Sequence, residues 1–139
     1  MKNKDVELID LIYEAFGDRK YEEILEHFAD DFVWIAADNS PLADRSPYRG
    51  VAEIRTGVFE RIAAGFEELR VIADEIFAGE GGRVVVLGYY HGRFRGGDDD
   101  FRTQVAHIWT VRDGRAVKFQ QYLDTLKVSR DAAALSPSE

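Results

Sequence analysis

The chain has 139 residues, of which 45% are hydrophobic, and its formal net charge is −8 at pH 7. This length fits a single domain over residues 1–139 with a sizeable core. The acidic balance argues against nucleic acid and anionic membrane surfaces as partners, because both attract basic proteins.

The sequence carries no sign of export or membrane insertion. No stretch approaches the roughly 20 apolar residues of a membrane-spanning helix, and "MKNKDVELID" becomes acidic at once, without an apolar run of signal-peptide length. The absence of cysteine excludes disulfides, thiolate catalysis and cysteine-ligated metals. These features predict a soluble, cytoplasmic protein.

Two amphipathic helices are predicted at the start of the chain. Residues 5–16 carry apolar side chains at helical spacing, and Gly17 is placed to end the helix. Asp18 is placed to cap a second helix over 19–28, which "ADD" closes before a short strand, "FVWIAA". The residues predicted to face the core from the first helix are Val6, Ile9, Tyr13 and Phe16.

The longest irregular stretch covers residues 37–50, with two prolines, a glycine and several Asx and Ser residues. A loop of this length forms either the rim of a functional site or a plain surface connection. A third helix is predicted over 51–66, where Ile54, Val58 and Ile62 recur every four residues.

The rest of the chain predicts strands. They cover 68–79, 83–95 and both arms of a hairpin around Asp113-Gly114, and residues 126–139 hold a short helix and a frayed tail. This order predicts an α+β fold, in which a strongly curved, mixed or antiparallel sheet wraps around the N-terminal helices as a cone-shaped barrel with an internal pocket. The acidic loop at Asp98–Asp100 has no histidine near it in sequence and is interpreted as a solvated turn, so no metal site is expected.

The hairpin register decides which polar residues face inward. A two-residue loop pairs Arg112 with Arg115 and mixes both faces, whereas a three-residue loop with a left-handed Gly114 pairs Val111 with Arg115. Hydrophobicity favours the second, which places His107 opposite Phe119. The predicted inward residues are then Val105, His107, Trp109, Val111, Val117, Phe119, Gln121 and Leu123.

Two neighbouring assignments follow from the same reasoning. Asp124 lies on the other face of the hairpin and is predicted to cap the last helix. In the strand at 83–95, the better core face holds Val84, Val86, Tyr90 and Phe94, so Tyr90 is predicted to point inward and His91 outward.

The order and spacing of four segments resemble the SnoaL-like, ketosteroid-isomerase-related proteins of the nuclear transport factor two superfamily. The segments are "IYEAFGDRKYEEILEHFADDFVW", "PYRGVAEI", "VVVLGYYHG" and "FRTQVAHIWTVRDGRAVKFQQYLDT". The resemblance implies a cone-shaped α+β fold, a deep pocket and a homodimer through the outer sheet face. It also implies ketosteroid isomerisation or polyketide ring closure, by chemistry that uses no cofactor.

The resemblance carries over residue by residue only in part. The catalytic aspartate positions of the two activities correspond to Ala36 and Gln121, and neither residue can exchange a proton near neutral pH. Asp38 would share the face of Ala36 if the first strand continued. His107 and Tyr13 correspond to the groups that polarise a carbonyl in the family.

These residues define the expected site. His107, Tyr13 and Asp38 are the candidate catalytic residues, because they can donate hydrogen bonds to developing negative charge or accept a proton. Two functions remain open: an isomerase or cyclase that enolises a small apolar carbonyl compound, and a non-catalytic protein that binds such a molecule. A dimeric scaffold with a filled core is the third alternative. The candidate substrate-binding residues are Trp34, Tyr90, Trp109, Phe119 and Gln121.

Overall fold

The computed structural model describes residues 3–133. A π-helical turn at Arg55–Phe59 joins two of its helices into one continuous segment. The elements in chain order are α1 (Lys4–Gly17), α2 (Tyr21–Glu26), β1 (Phe28–Ile35), β2 (Tyr48–Arg49), α3 (Gly50–Ile54), α4 (Glu60–Gly65), β3 (Phe66–Ala78), β4 (Arg83–Phe94), β5 (Phe101–Arg112), β6 (Arg115–Leu123) and α5 (Thr125–Ala133).

The N-terminal helices follow the predicted pattern with different boundaries. The Asn3 side chain caps α1 by accepting from the backbone N–H groups of Asp5 and Val6. The predicted cap at Asp18 is wrong, because α2 begins after Lys20 with no side-chain cap. The "ADD" segment was expected to end the second helix, but it lies inside β1.

A single six-stranded sheet carries the helices on its inner face. The strand order is β2-β1-β6-β5-β4-β3, and β1 runs parallel to β6 while the other neighbours are antiparallel. The predicted α+β class, with a curved mixed sheet around helices, is confirmed. The sheet is not closed into a barrel, however, because β2 and β3 remain at its two edges.

The third helical segment has the predicted inward face. Ile54, Val58 and Ile62 are all buried in the core. The π-helical turn brings Gly57 against the ring of Tyr48, and a Cβ atom at Gly57 would lie 2.5 Å from Tyr48 Cε1. The absence of a side chain at Gly57 therefore permits this close approach.

The favoured three-residue loop between β5 and β6 is wrong, although it turned His107, Trp109, Phe119 and Gln121 to the correct face. The turn is the two-residue loop at Asp113-Gly114, where φ is 52° and 80°, and Arg112 pairs with Arg115. An extra residue at Val117 then shifts the register, so that His107 pairs with Gln121 and not with Phe119.

This bulge also corrects one predicted inward residue. Ala116 is fully buried, whereas Val117 is only partly buried. On the other side of the bulge, His107, Trp109, Phe119 and Gln121 are buried as predicted.

The described chain ends in α5, which Asp124 caps by accepting a hydrogen bond of 3.0 Å from the backbone N–H of Lys127. The predicted cap is thus confirmed, whereas the predicted frayed tail "SPSE" lies outside the described residues. Among residues 3–133, no helix has both the length and the apolar character needed to cross a membrane.

Candidate functional site

An apolar cavity of about 280 Å³ lies between the helices and the inner face of the sheet. Helices α1, α4 and α5, strand β1 with the segment after it, and strands β3 to β6 all contribute to its wall. Among the described residues, no Asp or Glu side chain lines it. The aromatic residues of the wall are Tyr13, Phe16, Trp34, Phe66, Tyr90, Phe94, Phe101, Trp109 and Phe119. This lining suits a small, flat, largely apolar molecule.

One cluster of polar side chains in the cavity centres on His107, while Ser40 and Arg61 line other parts of the wall. Tyr13 Oη lies 2.6 Å from Nδ1 of the imidazole, and Tyr90 Oη lies 2.9 Å from Nε2. The Phe119 ring packs edge-on against the imidazole at a centroid distance of 4.7 Å. The strand alternation of β4 and β5 turns Tyr90 and His107 inward, and α1 brings Tyr13 to them from the opposite side.

Each tyrosine hydroxyl also accepts a hydrogen bond from a fixed donor. Trp109 Nε1 donates to Tyr13 Oη over 2.8 Å, and Gln121 Nε2 donates to Tyr90 Oη over 2.8 Å. The Ala37 backbone N–H donates to Gln121 Oε1 over 3.1 Å, which fixes the side-chain amide with its NH₂ group toward Tyr90. The five side chains form one continuous hydrogen-bonded chain.

Burial sets the charge of this cluster. His107 is 1% exposed, and desolvation lowers its pKa to about 3, so the imidazole is neutral at physiological pH. Burial also raises the pKa of Tyr13 and of Tyr90, which therefore remain protonated. The cluster thus consists of neutral hydrogen-bond donors and acceptors in an apolar environment, where their dipoles act strongly on a bound molecule.

The structure brings together all but one of the residues singled out from the sequence. His107, Tyr13, Trp34, Tyr90, Trp109, Phe119 and Gln121 line the same cavity. Asp38 is exposed and is not part of the lining. Asp38 was expected to share the face of Ala36 only if the first strand continued, but β1 ends at Ile35 and the Ala36 N–H bonds to Ser46 Oγ over 3.0 Å.

The irregular stretch after β1 forms part of the cavity rim. Ser40, Pro41 and Leu42 line the cavity. Tyr48 Oη donates to the Leu42 carbonyl over 2.6 Å, and Arg61 donates to the Pro41 carbonyl over 3.2 Å. Arg61 also binds Asp44 of the same loop at 2.9 Å. Sequence reasoning did not single out Arg61, because a lone arginine in a helix gives no signal of its distant partners.

Two buried donors of the lining have no hydrogen-bond partner among the described residues. They are Trp34 Nε1 and Ser40 Oγ. A buried polar atom without a partner costs free energy.

The acidic loop lies away from the cavity and is held by ion pairs. Asp100 binds Arg93 at 2.8 Å and approaches His91 Nε2 at 3.5 Å. Over residues 3–133, no group of three His, Asp or Glu side chains is arranged to hold a metal ion.

Known proteins share this fold over nearly the whole chain. A family model for the SnoaL-like domain matches residues 9–119. An NTF2-like protein of unknown function from Burkholderia pseudomallei shares 27% identity over 94% of this chain and 98% of its own, with a TM-score of 0.82. An NTF2-like protein from Burkholderia thailandensis shares 29% identity over 99% and 100%, with a TM-score of 0.79.

A third solved structure adds a bound compound. TerC, co-crystallised with polyporic acid, shares 24% identity over 94% of this chain and 99% of its own, with a TM-score of 0.82. At this identity the likeness shows a common fold. A comparison with curated proteins finds no match.

Proposed function

Because the chain belongs to the SnoaL-like domain family, we propose that it binds a small, largely apolar carbonyl compound in the cavity and enolises it, as a cofactor-independent isomerase or cyclase. The observation that carries this proposal is the placement of Tyr13, His107 and Tyr90 together in an apolar cavity. A phenolic hydroxyl directed at a carbonyl oxygen stabilises the charge that develops on enolisation.

The apolar wall supplies binding, and the cluster supplies orientation. Trp34 and Trp109 contact Phe119 at centroid distances of 4.1 and 4.6 Å, so one side of the wall is a continuous aromatic surface. A bound ring system buries its faces against these side chains and directs its oxygen toward the hydroxyls of Tyr13 and Tyr90 at His107.

A second candidate function is the binding of the same class of molecule without catalysis. It is favoured by the missing carboxylates, since the resemblance matches the family's aspartate positions to Ala36 and Gln121 and no acid lines the described cavity. Both functions predict affinity for such a compound, and only the first predicts turnover.

The first experiment is native mass spectrometry of the purified protein, followed by denaturation and identification of any released molecule. Carbonyl compounds of that class, with polyporic acid as a further probe, are then tested for thermal stabilisation and for turnover. For an enzyme, His107→Ala abolishes turnover and retains binding. For a binding protein, the wild type shows affinity without turnover. A protein that no such compound stabilises contradicts both functions.

The proposal includes a homodimer through the outer sheet face, defined here as Ile72, Phe77, Val85, Leu87, Tyr89, Ile108 and Tyr122. Ile72, Phe77 and Tyr122 are more than two-fifths exposed in the single chain, at 44%, 45% and 53%. Exposed apolar side chains grouped on one face are typical of an association surface.

A further inference from the structure

The chain of contacts through His107 has five hydrogens and only four contacts in which to place them. Trp109 and Gln121 donate to Tyr13 and Tyr90, and neither of those two donors can reverse its role, because an indole N–H only donates and the Gln121 amide is fixed by Ala37. The direction of the two inner contacts, Tyr13 with Nδ1 and Tyr90 with Nε2, is therefore set by the imidazole alone.

A neutral imidazole carries one N–H, so the two inner contacts share three hydrogens: one from each tyrosine and one from the ring. If Nδ1 carries the proton, it donates to Tyr13 Oη, and Tyr90 donates to Nε2. If Nε2 carries the proton, it donates to Tyr90 Oη, and Tyr13 donates to Nδ1. In each tautomer, one tyrosine proton has no acceptor within the chain of contacts.

The tyrosine proton without an acceptor, here called the spare proton, lies where a bound molecule can accept it. Both tyrosines line the cavity, and the His107 ring contacts no carboxylate of the described residues that would favour the doubly protonated imidazolium. A change of tautomer moves the spare proton from one tyrosine to the other, across the full width of the ring.

We propose that Tyr13, His107 and Tyr90 form a proton relay, in which one tyrosine protonates the bound molecule while the other removes a proton from it. This inference rests on the proposed function and makes Tyr90, expected only to bind substrate, a catalytic residue. His107 acts through the two tyrosines and does not touch the substrate.

The proton transfers of the relay can start from the Nδ1–H tautomer. Tyr13 transfers its proton to the substrate carbonyl oxygen, and Nδ1 transfers its proton to Tyr13. Tyr90 transfers its proton to Nε2 and takes the proton that the substrate loses. The electron pair of the broken C–H or O–H bond moves through the conjugated substrate to the carbonyl oxygen. Both tyrosines end neutral, the imidazole ends as the Nε2–H tautomer, and water entering the emptied cavity resets it.

The relay also defines the substrate class. Because the two hydroxyls lie at opposite nitrogens of one imidazole, the atom that loses a proton and the oxygen that gains one are separated within the substrate. Enolisable carbonyl compounds with conjugation between these positions meet this requirement. The relay replaces a carboxylate base, which the described cavity wall lacks.

The first test measures the protonation of His107 by ¹⁵N NMR on protein labelled at histidine, with His107→Gln used to assign the signals. The relay requires a neutral imidazole at pH 7, with one protonated nitrogen. A doubly protonated ring overturns the relay, because neither of its nitrogens can accept a proton from a tyrosine.

The second test follows deuterium uptake in heavy water at the γ carbons of isophorone, an enolisable enone in which a conjugated double bond separates these carbons from the carbonyl group. The relay predicts that Tyr13→Phe and Tyr90→Phe each lose at least about tenfold of the acceleration, while the Kd for isophorone changes by less than about threefold. Tyr89→Phe, on the outer face, is the matched control and keeps the wild-type rate.

The outcomes separate the relay from the function on which it rests. A wild-type protein that binds neither isophorone nor polyporic acid contradicts the proposed function. Binding with an exchange rate that depends on Tyr13 and is unchanged in Tyr90→Phe overturns the relay and leaves simple polarisation of the carbonyl by one hydroxyl.

Discussion

Burial without a carboxylate partner sets the protonation state of His107, and this has a consequence for stability. The folded protein holds the imidazole neutral with a pKa of about 3, whereas an unfolded histidine titrates near 6.5. Between these values, the unfolded chain binds a proton that the folded chain does not. The free energy of unfolding therefore falls as the pH falls from about 6.5 toward 3.

We expect His107→Gln to remove this contribution. Between pH 7.5 and pH 4.5, the wild type should lose roughly 2–3 kcal/mol more of its unfolding free energy than the variant, at about 1.4 kcal/mol per pH unit below 6.5. Urea unfolding of both proteins at the two pH values measures the difference, in which the shared titration of carboxylates cancels. Equal losses in the two proteins would show that His107 is protonated in the folded state.

Tyr48 and Tyr21 differ in whether their hydroxyls have partners. Tyr48 Oη donates to the Leu42 carbonyl and accepts from Arg61 at 3.0 Å. Tyr21 Oη is buried without a partner among the described residues, while its ring stacks on Phe59 at 5.2 Å. Replacing each tyrosine by phenylalanine therefore compares the loss of a hydrogen-bonded hydroxyl with the loss of a hydroxyl that has no partner.

Tyr48→Phe should lower the unfolding free energy by about 1–2 kcal/mol, because it leaves a partly buried carbonyl without its donor. Tyr21→Phe keeps the ring contacts and should leave the unfolding free energy unchanged or raise it by up to about 1 kcal/mol. Denaturant unfolding of the two variants gives the comparison. A loss in Tyr21→Phe as large as that in Tyr48→Phe would mean that the Tyr21 hydroxyl is bonded in solution.

The hairpin shows how far sequence reasoning reaches at the scale of elements. The alternation of apolar residues correctly placed His107 and Gln121 inward, since only one phase buries Trp109 and Phe119 together. Both a three-residue loop and a bulge shift that phase by one residue, so the pattern alone could not choose between them. The structure uses the bulge.

The physical reason for the bulge lies far away in sequence. The Ala116 N–H donates to the His27 carbonyl over 2.9 Å, and the Arg115 side chain donates to the Glu26 carbonyl over 2.9 Å. Contacts with the junction of α2 and β1 therefore set the local geometry of β6. A single-sequence analysis can predict the burial of a face and cannot predict which distant carbonyl a backbone N–H meets.

The residues of the cavity could be predicted from the sequence to the same extent as the hairpin. Residues on regular strands and on α1 could be assigned to the cavity by their periodicity, as Tyr13 and Tyr90 were. Asp38 could not be placed, because its position depends on where β1 ends. That end is fixed by hydrogen bonds from Ala36 and Ala37 to side chains of Ser46 and Gln121.

The π-helical turn gives a prediction at this scale. Gly57→Ala places a Cβ atom 2.5 Å from Tyr48 Cε1 and 2.7 Å from Cδ1, which forces the ring away from the helix. We expect an overpacking cost of about 1–3 kcal/mol, only partly offset by the roughly 1 kcal/mol by which alanine favours a helix over glycine. The melting temperature in calorimetry should fall.

Gly65→Ala is the matched control, since nothing lies within 4 Å of the position that its new Cβ atom would take and alanine restricts the unfolded chain. Its melting temperature should be unchanged or slightly higher, by the equivalent of about 0.4–1 kcal/mol. If Gly57→Ala matches Gly65→Ala, the close contact between Gly57 and Tyr48 does not exist in solution. The contact matters for the site, because Tyr48 holds the Leu42 carbonyl at the cavity rim.

At the scale of the whole molecule, the two faces of the sheet carry different side chains. The inner face supplies His107, Tyr90 and Gln121 to the cavity, and the outer face presents apolar side chains to solvent. Because side chains alternate along each strand, a change on the outer face leaves the cavity lining in place. The proposed dimer can therefore be tested without disturbing the site.

The prediction is that Tyr122→Lys weakens the homodimer. Tyr122 is 53% exposed in the single chain and pairs across β6 and β5 with Ala106, near Leu87. In an interface with two-fold symmetry the introduced lysine appears twice, and two charges desolvated in an apolar contact should raise the dimer Kd by more than about tenfold.

Leu11→Lys is the matched control, because Leu11 is equally exposed at 53% but lies on α1. Sedimentation equilibrium should show a dimer for the wild type and for Leu11→Lys, and a shift to monomer for Tyr122→Lys that retains ligand binding. A monomeric wild type, or a Tyr122→Lys dimer of unchanged Kd, would exclude the outer face as the interface.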